Sequence, residues 1–273
     1  FIQMKILLNN NDLNEALYSV SNLGFVPTMG SLHKGHISLI KRSLKECDKT
    51  IVSIFVNPTQ FNNKNDYKKY PRNTKKDLRI LKKLKVNFIF LPKKHHIYNY
   101  KKRSKIKLGK TDKIMCAKYR KGHFEGVIDV MDRLIKIIGP NKIFMGEKDF
   151  QQLFLIKKYL LKKYKIKIIS CKTIRDNNKI ALSSRNFLLN KKGLFTAGKL
   201  IRNLISFKKN LKNKKDIKEK IFLKKKELAN SFKISIDYLE LRNKNNLKID
   251  YRLKNSKLFT AFYLDNVRLI DNF

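Results

Sequence analysis

Cysteine is scarce in this chain: three residues in 273, at Cys47, Cys116 and Cys171. They are odd in number, widely separated and include no Cys-x-x-Cys pair, so neither a disulfide framework nor a zinc site is indicated, and the compartment expected is reducing. Long apolar runs are lacking too. No stretch approaches the ~18 continuous apolar residues of a membrane span, and residues 1–8 carry no signal-peptide cleavage pattern. The expectation is a cytoplasmic protein with no membrane partner. Low-complexity linkers and internal repeats are also missing. Acidic residues number 21 against 64 Lys and Arg, a formal net charge of +43. Such an excess points first to nucleic acid. The lysines, however, are spread over nearly every segment in company with abundant Asn, Ile and Phe, which reads as A/T-rich codon drift with lysine filling solvated faces. No specific nucleic-acid partner is expected.

What is present is a core's worth of apolar residues, 42% of the chain, in a length that suits two modest domains. Short apolar, β-branched runs at 23–26, 51–56, 86–91, 142–145 and 167–170 alternate with amphipathic helical spacing at 12–22, 37–40, 74–84, 127–138 and beyond 150. That alternation predicts an α/β fold with a Rossmann-like, doubly wound parallel sheet. Residues 106–108 read as a short edge strand, and the lysine-rich 93–105 as irregular, with His95-His96 a solvated pair. Past Asn190 the pattern changes to two lysine-rich helices, 191–207 and 216–228, and strands at 234–241, 258–264 and 267–270, a smaller C-terminal α+β domain. The expected division is 1–174 and 175–273.

Chemistry concentrates at strand exits. Pro27-Thr28-Met29-Gly30-Ser31-Leu32-His33-Lys34-Gly35-His36 follows the first central strand and opens a helix. Residues three apart share a helix face, so His33 and His36 can approach one ligand. Gly35 leaves the backbone bare, and the helix N-terminus offers unpaired N–H groups and partial positive charge to a phosphate. The weaker alternative is that the same two histidines are only a polar helix start. Asn57-Pro58-Thr59-Gln60 ends the next strand, where Asn57 and Gln60 could hydrogen-bond a small polar substrate or simply form an Asn-Pro turn. Gly146-Glu147-Lys148-Asp149 leads into a helix with Gln151 and Gln152; Lys148 could neutralise a phosphate and Asp149 bind a ribose or a metal. Leu182-Ser183-Ser184-Arg185-Asn186 offers hydroxyls and a forked guanidinium to a triphosphate, or a helix cap.

In order and spacing, these motifs resemble the pantothenate synthetase (pantoate-β-alanine ligase) family of the His-x-Gly-His nucleotidyltransferases. Further matches are Ser53-Ile54-Phe55-Val56-Asn57-Pro58-Thr59-Gln60-Phe61, Tyr70-Pro71-Arg72, Gly122-His123-Phe124-x-Gly126-Val127, Gly146-Glu147-Lys148-Asp149-x-Gln151-Gln152-Leu153, Asp237-Tyr238-Leu239-Glu240 and Arg268-Leu269-Ile270-Asp271-Asn272. The resemblance implies ATP-dependent condensation of pantoate with β-alanine through a pantoyl adenylate, releasing AMP and pyrophosphate. It also implies a homodimer whose N-terminal domain binds ATP and pantoate beneath the smaller one. By the same resemblance His36, His33, Lys148 and Arg185 are catalytic. ATP contacts fall to Met29, Gly30, Ser31, Leu32, His33, Lys34, Gly35, His36, Gly146, Glu147, Lys148, Asp149, Ile174, Leu182, Ser183, Ser184 and Arg185. Gln60, Gln152, Asn57 and Tyr70 hold pantoate, and Mg²⁺ travels mainly on the ATP phosphates.

The chain departs from the family pattern at Lys34, usually acidic; at Asn62, usually Gly; at Asn178-Lys179, usually Asp-Gly; at Leu182, usually Met; and in the glycine-poor approach 115–121. Two other readings remain: an aminoacyl-tRNA synthetase-like adenylating enzyme, which would need a Lys-Met-Ser-Lys-Ser-like loop and an anticodon-binding region, and a basic RNA-binding protein on a decayed scaffold, which would have lost active-site side chains.

Overall fold

The computed structural model describes residues 4–98, 106–211 and 216–273. The chain divides into two compact units, one of Phe1–Glu147 with Gln152–Lys172, the other of Lys148–Gln151 with Thr173–Phe273.

The first unit is built on a six-stranded, wholly parallel sheet. Its strands are β1 (Lys5–Leu7), β2 (Leu23–Thr28), β3 (Lys49–Ile54), β4 (Phe88–Phe90), β5 (Lys142–Gly146) and β6 (Lys167–Cys171), in the order β1-β4-β3-β2-β5-β6. Phe25, Val26, Ile51, Val52, Ile89, Ile143 and Phe144 are all fully buried. Continuous apolar runs of this kind suit strands covered on both faces. The order runs outward from β2 in one direction through β3 and β4, then in the other through β5 and β6. The switch point therefore lies between β2 and β5, the place where doubly wound sheets bind ligands beyond their carboxyl ends.

The register at that point is informative. β2 pairs with β3 along its whole length, from Leu23–Lys49 to Thr28–Ile54, but with β5 only at Gly24–Lys142 and Phe25–Ile143. Leu23 exchanges hydrogen bonds with Asn141 on the β5 side, so two-residue alternation turns Phe25 and Pro27 to that side as well. Proline has no N–H to give. The ladder stops where Pro27 would have supplied the next donor.

In the second unit, β7 (Ser235–Asn243), β8 (Ser256–Leu264) and β9 (Val267–Asn272) form an antiparallel meander. Helices Lys191–Asn210 and Ile217–Phe232 cover it, and Leu200, Ile201, Leu204, Leu258 and Phe262 form its core.

Four expectations change. The sheet has a sixth strand, β1, whose three residues are too few for a period to register; Lys5 and Ile6 are exposed and only Leu7 is buried. Residues 106–108 form no strand: Leu108 is buried from an irregular segment instead. His95 and His96 lie in a helical turn, Lys94–Tyr98, not in irregular chain; the remainder of that expected irregular stretch, 99–105, falls outside the described residues. The first helix is shorter than expected, Asn10–Leu17, with Asn9 capping it through the N–H groups of Asn11 and Asp12.

Candidate active site

Thr28 ends β2 and Gly30 turns the chain with φ +78. Ser31 follows at φ +53, also left-handed, and His33 returns to extended backbone as N-cap of helix Lys34–Glu46. The cap is made by two imidazoles. His33 Nδ1 accepts the Gly35 N–H at 3.1 Å, and His36 Nδ1 accepts the His33 N–H at 3.4 Å. The ring centroids are 4.0 Å apart. A nitrogen that accepts carries no hydrogen, so in the neutral rings the hydrogen sits on Nε2 of both.

The N–H groups expected to be unpaired here are largely taken. Gly30 N–H goes to Thr28 Oγ1 at 3.2 Å, Ser31 N–H to Asp77 Oδ2 and Leu32 N–H to Asp77 Oδ1, both at 2.8 Å. The His33 and Gly35 N–H groups are engaged as well, each by an imidazole Nδ1. Leu32 is buried, Lys34 is exposed, and Gly35 lies within the capping turn. Asp77, in helix Thr74–Lys83 and 1% exposed, went unnoticed in the sequence because its partners are more than 40 residues away.

At the exit of β3 a second cluster forms around Gln60. Asn57 is 1% exposed and its amide is saturated: Nδ2 donates to Gln60 Oε1 at 3.3 Å and to the Gly126 carbonyl at 3.1 Å, while Oδ1 accepts from Thr59 and from the Tyr98 hydroxyl at 2.7 Å. Asn57 thus orients Gln60, whose Nε2 points toward Met29 Sδ at 2.9 Å. Burial pushes the Tyr98 hydroxyl up to about 12, so it remains a donor. The Gly-His-Phe-x-Gly segment, which had no role in the residue-level reading, braces the same turn. His123 Nδ1 meets the Gln60 carbonyl at 2.7 Å and its Nε2 meets the Arg120 guanidinium at 2.9 Å. Arginine can only donate, so Nδ1 carries the hydrogen and donates to Gln60. At Gly126 a side chain would run into the Thr59 carbonyl and come within 2.8 Å of the Gln60 nitrogen, so only glycine lets this helix approach. Tyr70 packs edge-on against Phe61 at 5.6 Å. Gly146 ends β5 with open space where a Cβ would stand, followed by half-buried Glu147; Gln152 is half-buried in helix Phe150–Leu160.

The remaining residues belong to the second unit. Lys148 Nζ lies 3.3 Å from Asp149 Oδ1, and the Lys148 carbonyl accepts from Asn272 Nδ2 at 3.0 Å. Asn272 is held in turn by Lys257 Nζ at 2.8 Å. Beside it Arg175 clasps Asp271 with bonds of 2.6 and 2.9 Å. Burial pushes the Asp271 carboxyl up, and Arg175 opposes that shift. Ile174 and Leu182 are joined by Leu182 N–H to the Ile174 carbonyl at 2.9 Å. Ser183 acts as the N-cap of the turn Ser184–Leu188, accepting from Arg185 N–H at 3.2 Å, so this serine's hydroxyl serves the cap; Ser184 is buried and Arg185 half-buried.

A parallel sheet with its switch point beside a histidine-capped helix defines a Rossmann-like α/β protein of the nucleotide-handling kind. The family model for pantoate-beta-alanine ligase matches residues 5–273. A pantothenate synthetase from Azobacteroides pseudotrichonymphae is 40% identical over 98% of this chain and 99% of its own, and one from Leptospira interrogans is 41% identical over 92% and 89%. Among solved structures, the pantoate-beta-alanine ligase of Francisella tularensis, complexed with beta-gamma ATP and beta-alanine, is 38% identical with a TM-score of 0.84 over 99% of this chain and 97% of that one. The pantothenate synthetase of Thermus thermophilus superposes with a TM-score of 0.89 at 28% identity over 99% of both chains. The chain belongs to the pantoate-beta-alanine ligase family.

Proposed function

We infer that this chain condenses pantoate with β-alanine, using ATP. The pantoate carboxylate attacks the α-phosphorus of ATP and pyrophosphate leaves. The β-alanine amine then attacks the acyl carbon of the pantoyl adenylate and AMP leaves. Attack at phosphorus needs positioning and charge stabilisation rather than a protein nucleophile, and no covalent enzyme intermediate is required.

The observation that carries the assignment of roles is the doubly capped helix start: with Nδ1 of His33 and His36 accepting from backbone, each neutral ring offers Nε2–H as its donor. His36 and His33 donate to phosphate oxygens as charge develops, within an ATP-contacting stretch that runs from Met29 to His36. Lys148, Ser184 and Arg185 bind phosphate, with Ser183 shaping their turn. Gly146, Glu147, Asp149, Ile174 and Leu182 contact the nucleotide. Gln60 and Gln152 hold pantoate, Tyr70 borders it, and Asn57 acts by holding the Gln60 amide in one orientation. Among the described residues no group of three or more His, Cys, Asp or Glu side chains gathers to cage a metal. Mg²⁺ carried on the nucleotide phosphates would neutralise charge there.

The working unit is a homodimer, and the compartment the cytoplasm. The test is release of AMP and pyrophosphate from ATP in the presence of both pantoate and β-alanine. AMP release in equal amount to pantothenate is expected, and a folded preparation without turnover overturns the reading.

A further inference from the structure

We propose that Asp77 is a positioning residue for His33 and His36: its buried carboxylate fills the backbone nest of Gly30–Leu32 and so fixes the loop that delivers both imidazoles. This rests on the phosphate-binding role given to the two histidines above.

The left-handed pair Gly30 and Ser31, at φ +78 and +53, turns successive N–H groups toward one side of the chain. That concavity is a nest, the backbone shape that binds phosphate in many nucleotide sites. Here the occupant is part of the protein. Asp77 Oδ2 and Oδ1 take the Ser31 and Leu32 N–H groups at 2.8 Å each. A methyl on Gly30 would stand 3.0 Å from Asp77 Oδ2 and 3.1 Å from Ile54 Cγ2, so loop and carboxylate are in close contact. A carboxylate 1% exposed is tolerated because each oxygen accepts a charge-assisted hydrogen bond.

Two consequences follow for the reaction. The nest of Ser31 and Leu32 N–H groups is closed to the ATP phosphates. Leu32 also immediately precedes His33, so the bond to its N–H sets the path on which the chain enters the histidine cap. The Gln60 cluster of Asn57, Tyr98 and His123 is a separate set of hydrogen bonds that meets this loop at Met29 Sδ.

Asp77→Asn preserves shape but replaces one acceptor with an N–H₂ that faces a backbone N–H, so the nest loses a bond and gains a repulsion. Expected are a fall in kcat of at least about tenfold per folded molecule, a KM for pantoate within about twofold of the parent, and displaced ¹⁵N signals of His33 and His36, which in the parent report an unprotonated Nδ1 and a protonated Nε2. A lowered melting temperature with kcat and histidine signals unchanged would overturn the proposal. Hydrogen exchange at Ser31 and Leu32 in the unsubstituted protein tests it without a variant: strong protection is expected, and exchange at the rate of an open loop would also overturn it. If the parent protein turns over no ATP with pantoate and β-alanine, the functional reading fails, while the exchange measurement still decides whether Asp77 holds the loop.

Discussion

Tyr98 donates its hydroxyl hydrogen to Asn57 Oδ1 at 2.7 Å, and Asn57 passes the constraint to Gln60 through its own amide. Removing that hydroxyl with Tyr98→Phe loses its hydrogen bonds to Asn57 and Thr59, each worth about 0.5–1.5 kcal/mol. The pantoate KM is expected to rise roughly two- to tenfold, with the ATP KM unchanged. Steady-state kinetics with each substrate varied separately check it; equal effects on both substrates count against the relay.

The same residue carries a pH signature. Its folded pKa is raised to about 12 from an ordinary value of 10.0, chiefly by burial. A group whose folded pKa is raised adds stability that is fully present below its unfolded pKa and is lost as pH climbs through the folded value. Between pH 10 and about 12 the parent protein should therefore lose more stability than Tyr98→Phe. Denaturant melts of the two proteins across that window give the comparison.

His36→Ala removes the imidazole assigned to the reacting phosphate and the acceptor for the His33 N–H. Turnover is expected to fall by about a hundredfold or more, while ATP affinity in a direct binding titration changes by less than about tenfold. Parallel losses in the two would make the histidine a simple binding group.

Gly126→Ala tests the close approach of helix His123–Ile138 to the Pro58–Gln60 turn. The added methyl meets the Thr59 carbonyl, and either the helix or the turn must yield. Overpacking of this kind costs about 1–3 kcal/mol. A lower melting temperature together with a raised pantoate KM is expected, since the displaced element carries Gln60. An unchanged KM would detach the turn from substrate binding.

Lys179 sits at φ +69 in an exposed turn. A left-handed conformation costs a side-chain-bearing residue about 1–2 kcal/mol, and the entropy glycine loses on folding returns roughly half of that. Lys179→Gly should raise Tm by roughly 2 °C without altering kcat. Calorimetry and the standard assay suffice.

Much of the sheet was legible because buried parallel strands are apolar runs closed by glycine, proline or amides, as at β2, β3 and β5. The histidine motif was legible for the same reason: its spacing is local. Asp77 was not, since a lone acidic residue among the lysines of 74–83 reads as solvated, and only the fold brings it to Ser31 and Leu32. Tyr98 hid beside a lysine-rich stretch whose helical turn is only five residues long. For Ser183 the residue-level alternatives of phosphate ligand and cap were both open; its hydroxyl accepts the Arg185 N–H as a cap does, which still lets its own O–H donate. Asn57 looked like a substrate contact because amides at a strand exit usually face outward; its saturation by Tyr98, Thr59, Gln60 and Gly126 is a property of three separate segments meeting.

Pro27 gives the central strand a residue without an amide hydrogen on the side of β5, where the ladder ends after Phe25 and Ile143. A sheet is a fastening that closes one hydrogen bond at a time, and here one tooth is missing. An alanine at this position would let β2 and β5 zip one step further and narrow the fork from which the histidine loop departs. The width of that fork is thus written into the chain as a single absent hydrogen, independent of any ligand arriving to hold it open.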